Sequence, residues 1–454
     1  MASSKDTDNK DIKDGIMTAK TSRRRLAQAM AAAPLVLGAA SQSAGRTRAQ
    51  EKTTIRFWTH THPPMVDLNK SLIEQFHQAN SEIEVQYDII PNNEFATKML
   101  TSMGTGTGPD VINMDDNQMR SIYIPNGLVQ PVDPAGLGFG SMKEVQAAYI
   151  PGTFEGAAVE GQVYGLPSEF NVTAFAVNTA AFEEAGLDPA ASPKTWDEVG
   201  TIGQQLVKKD GDTLTRRGFD FVYLHAGWYH NQLGTLMNQT GGRYVAEDGT
   251  TVTINQPPTV QALQIWYDLI YKEKVADPNV ASREATVPYQ DFLDGNVAMS
   301  LLNPWGMGLV TEDSAVFEKY QVVPLPQANP DAPATPLYAY YWAVNSQTTD
   351  EAKRQAAFKW VAFLASQPGE WLKNVNFIQP KVGWNDLPEA KEFPFYDVWA
   401  GEMLKGKFLP VTPKSQEVDD IVKQAVESSV LTGVEPQEAL DNAASQIETV
   451  LQQG

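Results

Sequence analysis

The chain has 454 residues, with 35 Lys and Arg against 55 Asp and Glu, 42% hydrophobic residues and no cysteine. That length supplies core material for two or three domains, and the missing cysteine excludes disulfide scaffolds, thiolate-bound zinc, iron–sulfur clusters and thiol catalysis. A formal charge of -20 argues against a nucleic-acid partner, which needs Lys and Arg gathered on one face.

Residues 1–50 read as an export leader. Ser22-Arg23-Arg24-Arg25-Leu26 precedes a mildly apolar stretch over 27–40, and small residues follow up to Thr47-Arg48-Ala49. A basic segment, a short apolar segment and a small-residue exit are the parts of a signal peptide. The paired arginines before a weakly hydrophobic core resemble the twin-arginine type. No later apolar run approaches the roughly 18 residues of a membrane helix. A lipid anchor at a new N-terminus would need a cysteine. The expectation is a mature protein free in the periplasm, with a net charge of about -25 by residue counting.

Ile55-Arg56-Phe57-Trp58 predicts a buried strand, and Leu68, Leu72, Ile73, Phe76 and Ala79 lie on one helical stripe that Pro64 would open. Ile83, Val85, Tyr87 and Ile89 alternate as in a half-buried strand, and a helix is expected over 94–103, ending in glycines. This alternation predicts an α/β fold with a parallel sheet covered on both faces. A short apolar strand, Val111-Ile112-Asn113-Met114, then runs into Asp115-Asp116. Open parallel sheets bind ligands at the carboxyl ends of their strands, although either aspartate could instead cap the next helix. Residues 163–178 are extended, Thr195-Trp196-Asp197-Glu198 is a capping box, and helices are expected around 263–271, over 350–364 and from Pro436 onwards. Trp196, Trp266, Trp360, Trp371 and Trp399 fall on these helices or near helix starts and read as core.

Five stretches in fixed order resemble the extracellular solute-binding proteins of sugar-importing ABC transporters, the maltose-binding-protein-like group. They are Ile55-Arg56-Phe57-Trp58, Gly108-Pro109-Asp110-Val111-Ile112, and Tyr164-Gly165-Leu166-Pro167 running to Val177-Asn178. Asp291-Phe292 through Asn303-Pro304-Trp305 and Glu435-Pro436-Gln437-Glu438-Ala439-Leu440 complete the set. The resemblance implies a two-lobed periplasmic-binding-protein type II fold with crossing hinge segments. Lobe one would comprise 53–164 with 345–378, and lobe two 165–344 with 379–454. It also implies a monomer that carries a carbohydrate ligand in the interlobe cleft to an ABC permease, without cofactor or catalysis.

A neutral sugar offers C–H faces to aromatic rings and hydroxyls to polar side chains. A polar group left unpaired on closure costs about 1–3 kcal/mol, so the hydroxyl readers discriminate. The candidate aromatic residues are Trp58, Trp228, Tyr229, Trp305, Tyr341, Tyr340 and Trp384, Tyr341 being preferred to Tyr340 in the run from Tyr338 to Trp342. The candidate polar readers are His60, Asn93, Asp115, Asp116, Asn117, Glu169 and Asn171, while Asp110 reads as structural. Three other readings stay open at this stage: the same fold with a polyamine, phosphodiester or peptide as cargo, of which the polyamine best suits an acidic cleft; metal delivery through His60 and His62; and a glycosidase pair drawn from Asp115 and Glu169. Against catalysis, neither Gly-x-Ser-x-Gly nor His-Glu-x-x-His occurs. The run from Gly401 to Lys407 mimics a phosphate loop but ends in Phe408 where Ser or Thr is needed.

Overall fold

The computed structural model describes residues 52–453, apart from 222–225, 278–288, 308–318 and 410–413 and apart from the side chains of 93, 226–231, 415 and 416. The leader therefore lies outside the described residues.

Strand β1 (Thr53–His60) buries Ile55 and Phe57 on one face and Trp58 on the other, so it is apolar on both sides, as an interior strand must be. Helix α1 (Pro63–Ala79) opens on two prolines and buries Met65, Leu68, Leu72, Ile73 and Phe76. Strand β2 (Ile83–Ile90) runs parallel to β1 in register from Thr53↔Ile83 to His60↔Ile90. Helix α2 (Asn92–Gly104) and strand β3 (Val111–Asp115) follow, β3 again parallel to β1. The later elements are β4 (Leu166–Val172), β5 (Ala174–Asn178), α3 (Trp196–Leu206), α4 (Ala226–Thr240), α5 (Pro257–Tyr271), β6 (Met299–Leu302) and β7 (Tyr320–Val323). They continue as β8 (Thr335–Val344), α6 (Glu351–Ala365), α7 (Pro368–Val375), β9 (Gly406–Phe408), α8 (Ser415–Thr432) and α9 (Pro436–Gln452).

Two sheets organise the molecule into two lobes. The larger has strand order β9-β8-β3-β1-β2 with β4 also paired to β8, and the smaller has order β6-β5-β7. The chain passes from the larger sheet to the smaller at Thr173, between β4 and β5, and returns over 324–334, between β7 and β8. A further passage runs beside β4, where the Phe170 N–H donates to the Ile378 carbonyl. Both β4 and all of β8 thus sit in the larger sheet. The two sheets divide the chain at Thr173 and at 324–334.

Three hydrophobic clusters fill the lobes. One lies under α1 and α6 around Phe57, Phe76, Trp342 and Trp360. A second fills the smaller-sheet lobe around Phe175, Phe219 and Trp266, with α8 and α9 contributing Val422 and Leu440. The third spans both sheets and includes Ile112, Tyr123, Phe170, Ala176, Leu302, Tyr341 and Trp399. The five tryptophans read as core are buried. The Thr195 hydroxyl accepts from the Glu198 N–H while Glu198 accepts from the Lys194 N–H, so the sequence signature does cap α3.

β8 is held in place by one carboxylate. Asp116 is buried; its Oδ1 accepts from the Ala339 N–H of β8 at 3.0 Å and its Oδ2 pairs with Arg120 at 2.6 Å. Arg120 also donates to the Leu409 carbonyl beyond β9, at 3.1 Å. Removing one partner of a buried pair strands the other. The substitution Asp116→Ala should lower the unfolding free energy by about 2–4 kcal/mol in denaturant melts, and Asp116→Asn, which keeps the acceptor for Ala339, by less.

Candidate functional site

β8 lies antiparallel between β3 and β4, and residues directly opposed across antiparallel strands share a face. Tyr340 faces Asp115 on one side and Glu169 on the other, and Tyr338 faces Asn171. One sheet face therefore carries a row Asp115–Tyr340–Glu169 with Tyr338 and Asn171 beside it. At the carboxyl end of β1, His60 places its ring 5.4 Å from Tyr340 and edge-on to Phe95 at 5.6 Å. His62, at the start of α1, stacks on Phe377 at 5.4 Å.

The smaller-sheet lobe closes over this wall. After β6, Asn303 leads into a tight turn, Pro304–Gly306, which carries Trp305. The Trp305 indole N–H donates to the Tyr338 hydroxyl, its ring meets His62 edge-on at 6.5 Å, and Tyr289 lies 5.5 Å away on another side. Groups from both lobes and a crossing strand thus meet in one patch.

Several polar atoms in the patch are enclosed without a hydrogen-bond partner: His60 Nδ1, His62 Nε2, Glu169 Oε2, and both polar atoms of the Asn171 amide. Such groups cost about 1–3 kcal/mol each and are rare unless something else is meant to satisfy them. Burial, with a smaller push from His62, lowers the His60 pKa to about 4; burial alone takes His62 to about 4. Burial raises Glu169 to about 8, and the nearby Asn171 amide, which does not reach hydrogen-bond geometry, offsets only part of this. Asp115 rises to about 6 through burial and the neighbouring Asp116, against the pull of hydrogen bonds from Gln118. No Lys or Arg is among the groups that shift these four. At neutral pH the two imidazoles and Glu169 are uncharged.

Other expected site residues fall elsewhere. Trp58 is buried under the side chains of Arg56 and Lys98, and its indole donates to Asp88 at 2.7 Å, so it is committed away from the patch. Tyr341 points to the opposite face of β8 from Tyr340; its hydroxyl donates to the Thr153 carbonyl at 2.7 Å, and a side chain at Gly156 would collide with that phenol. The preference between the two tyrosines is therefore reversed. Asp115 accepts from the Gln118 N–H and side chain, capping the short helix Asp116–Gln118 beside the patch, while Asp116 is used inside the fold as described. Asn117 is partly buried on that helix, its carbonyl accepting from Ser121. Trp384 sits in the central core against Tyr396 at 5.8 Å.

Trp228 and Tyr229 fall on α4 instead of a loop, and their side chains, like that of Asn93 on α2, lie outside the described residues. Asp110 is structural, accepting from the Arg56 N–H and the Thr348 hydroxyl, both at 2.8 Å. Among the described residues no group of three His, Asp or Glu could hold a metal ion, so His60 and His62 lack the carboxylates that the metal reading required. Sequence reasoning missed Tyr338, Tyr289 and Phe377. Tyr338 alone had a signal, its two-residue spacing from Tyr340.

The model of the bacterial extracellular solute-binding protein family matches residues 62–371. A binding protein of Brucella abortus is 23% identical over 436 residues, covering 91% of this chain and 95% of that protein. The sn-glycerol-3-phosphate-binding periplasmic protein of Pectobacterium atrosepticum is 22% identical, covering 92% and 95%. Among solved structures, maltose-bound MalE3 of T. maritima superposes with a TM-score of 0.74 at 23% identity, over 88% of this chain and 100% of that one. Among the described residues no helix is long and apolar enough to cross a membrane.

The raised pKa of Glu169 has a checkable sign. An acid whose folded pKa lies above its unfolded value of 4.5 makes the fold lose stability as pH climbs towards 8, because the folded state holds the proton longer. Glu169→Gln should therefore be more stable than the parent at pH 8, by on the order of 2–4 kcal/mol, with the gap shrinking as pH falls from 8 and nearly gone by about pH 4.5. Both proteins should lose stability as pH falls from 6.5 to 4, where His60 and His62 would take up protons only on unfolding. Denaturant melts across this range check both limbs.

Proposed function

The chain belongs to the bacterial extracellular solute-binding proteins, and we propose that it captures a neutral carbohydrate between its two lobes and presents it, unaltered, to the permease of an ABC importer. One observation carries the choice of solute: aromatic rings from both lobes surround enclosed polar atoms that lack partners and that are uncharged at neutral pH. Rings pack on the C–H faces of a mono- or oligosaccharide, and the imidazoles, the Asn171 amide and the protonated Glu169 pair with hydroxyls.

The alternatives fit this wall less well. A polyamine would meet one ionised carboxylate, Asp115, already engaged by Gln118, beside a protonated Glu169, and a glycerophosphate would need a free guanidinium or ammonium, whereas Arg120 is engaged by Asp116. Maltose and sn-glycerol 3-phosphate are the solutes named for two proteins similar to this one, and the wall chemistry favours the former.

Closure follows from the same contacts. A ligand shifts the open–closed balance only by its preference for the closed form. Moving that balance from 1:99 to 99:1 takes about 5.5 kcal/mol, within reach of a stacked indole and several buried hydrogen bonds. The mature protein works as a free monomer in the periplasm, after export through the twin-arginine route.

A thermal-shift panel of neutral sugars, polyamines and sn-glycerol 3-phosphate tests the solute class; stabilisation by an amine or the phosphate with none by sugars overturns it. For the sugar giving the largest shift, Trp305→Ala should weaken binding about 10- to 100-fold by calorimetry, through lost ring contact. Replacing Arg23 and Arg24 together by Lys should leave the precursor in the cytoplasm, read by cell fractionation, if the leader is of the twin-arginine type.

A further inference from the structure

Asn303 stands between β6 and the turn that carries Trp305, and it is buried. Its side-chain nitrogen donates to the Val172 carbonyl at 2.9 Å and to the Thr173 hydroxyl at 3.1 Å. Its side-chain oxygen accepts from the Tyr289 hydroxyl at 3.1 Å. The amide can be oriented only one way, because a carbonyl such as that of Val172 cannot donate. Thr173 is the linking residue of the first crossing, and its own carbonyl accepts from the Thr335 hydroxyl at 2.7 Å, where the second crossing enters β8. Two passages between the sheets and the base of the Trp305 turn therefore meet around one carboxamide.

Two further constraints stiffen this junction. Pro304 fixes the backbone angle of the residue that follows Asn303, so the turn follows the Asn303 backbone. Tyr289 is held at a φ of 63°, in the left-handed region, with its ring against Trp305 and so near Gly306 that a side chain there would strike it.

We propose that Asn303 is a positioning residue that ties the orientation of Trp305 to the first crossing at Val172 and Thr173, so that lobe rotation about this crossing and movement of the indole are a single motion. The inference rests on the reading of Trp305 as a ligand contact. A solute that settles on the indole then acts directly on the hinge, and hinge closure brings the indole to the solute.

The test uses protein labelled with 5-fluorotryptophan and observed by fluorine NMR, with the Trp305 resonance assigned from Trp305→Phe. Asn303→Asp keeps the size of the side chain but turns an acceptor towards the Val172 carbonyl. Thr335→Val removes the other buried bond onto Thr173 without touching the turn, and serves as the control for general destabilisation. Asn303→Asp should shift or broaden the Trp305 resonance in the free protein and weaken binding of maltose, the probe sugar, by about 10-fold or more. Thr335→Val should lower the melting temperature yet leave that resonance in place.

An unmoved Trp305 signal in Asn303→Asp, or an equal displacement in Thr335→Val, overturns the proposal. Should Asn303→Asp fail to fold, Thr173→Val, which removes one acceptor, must move the resonance in the free protein and an unmoved signal again overturns it. Should maltose fail to bind the parent, the solute reading fails for that sugar while the ligand-free spectra still decide the coupling.

Discussion

The two-residue alternation of β8 governs the binding wall. A strand sends successive side chains to opposite faces, so the run from Tyr338 to Trp342 cannot present all its rings to one place. Tyr338 and Tyr340 go to the face that carries Asp115, Glu169 and Asn171, Tyr341 anchors on Thr153, and Trp342 joins the core beneath α1 and α6. The register with β3 and β4 then decides what each tyrosine stands beside, which puts Asp115 and Glu169 across Tyr340. A slip of one residue would carry Tyr341 to the face that Tyr338 and Tyr340 now hold. The Asp116 bond to the Ala339 N–H opposes that slip directly.

On the function proposed above, the wall selects by what it declines to carry. Ionisable groups in it are enclosed enough to favour their neutral forms, His60 and His62 by shedding protons and Glu169 by keeping one. An anionic solute would have to be stripped of water without a counter-charge to receive it, and a cation would meet only Asp115, whose oxygens already accept from Gln118. The fold alone sets none of this, since similar proteins of the same architecture are named for maltose and for sn-glycerol 3-phosphate. Selection belongs to a handful of side chains mounted on a shared frame.

Much of that frame was legible in the sequence because local physics and the final structure agree there. The apolar spacing of α1, the alternation of β2 as far as Tyr87, the capping box at Thr195 and Pro436 at the start of α9 match the observed elements, whereas Ile89 is exposed and Ile90 buried in its place. Trp305 was legible as a ring in a loop after an apolar strand. Other features depended on partners far along the chain. Nothing near Trp58 shows that Asp88 and Lys98 will enclose it, and which of Tyr340 and Tyr341 joins the patch depends on the register of β8 against β3 and β4. Asn303 carries no local signal, because its role is defined by Val172, Thr173 and Tyr289, each brought there by tertiary structure.

The position of β8 inside the larger sheet also bears on how the molecule is made. Ala339 and Asp116, joined by a hydrogen bond, stand 223 positions apart, and β3 and β4 have no partner in common until β8 arrives between them. During synthesis the amino-terminal half must therefore wait as an open-edged intermediate, exposed to wrong pairings, until about three-quarters of the polypeptide has left the ribosome.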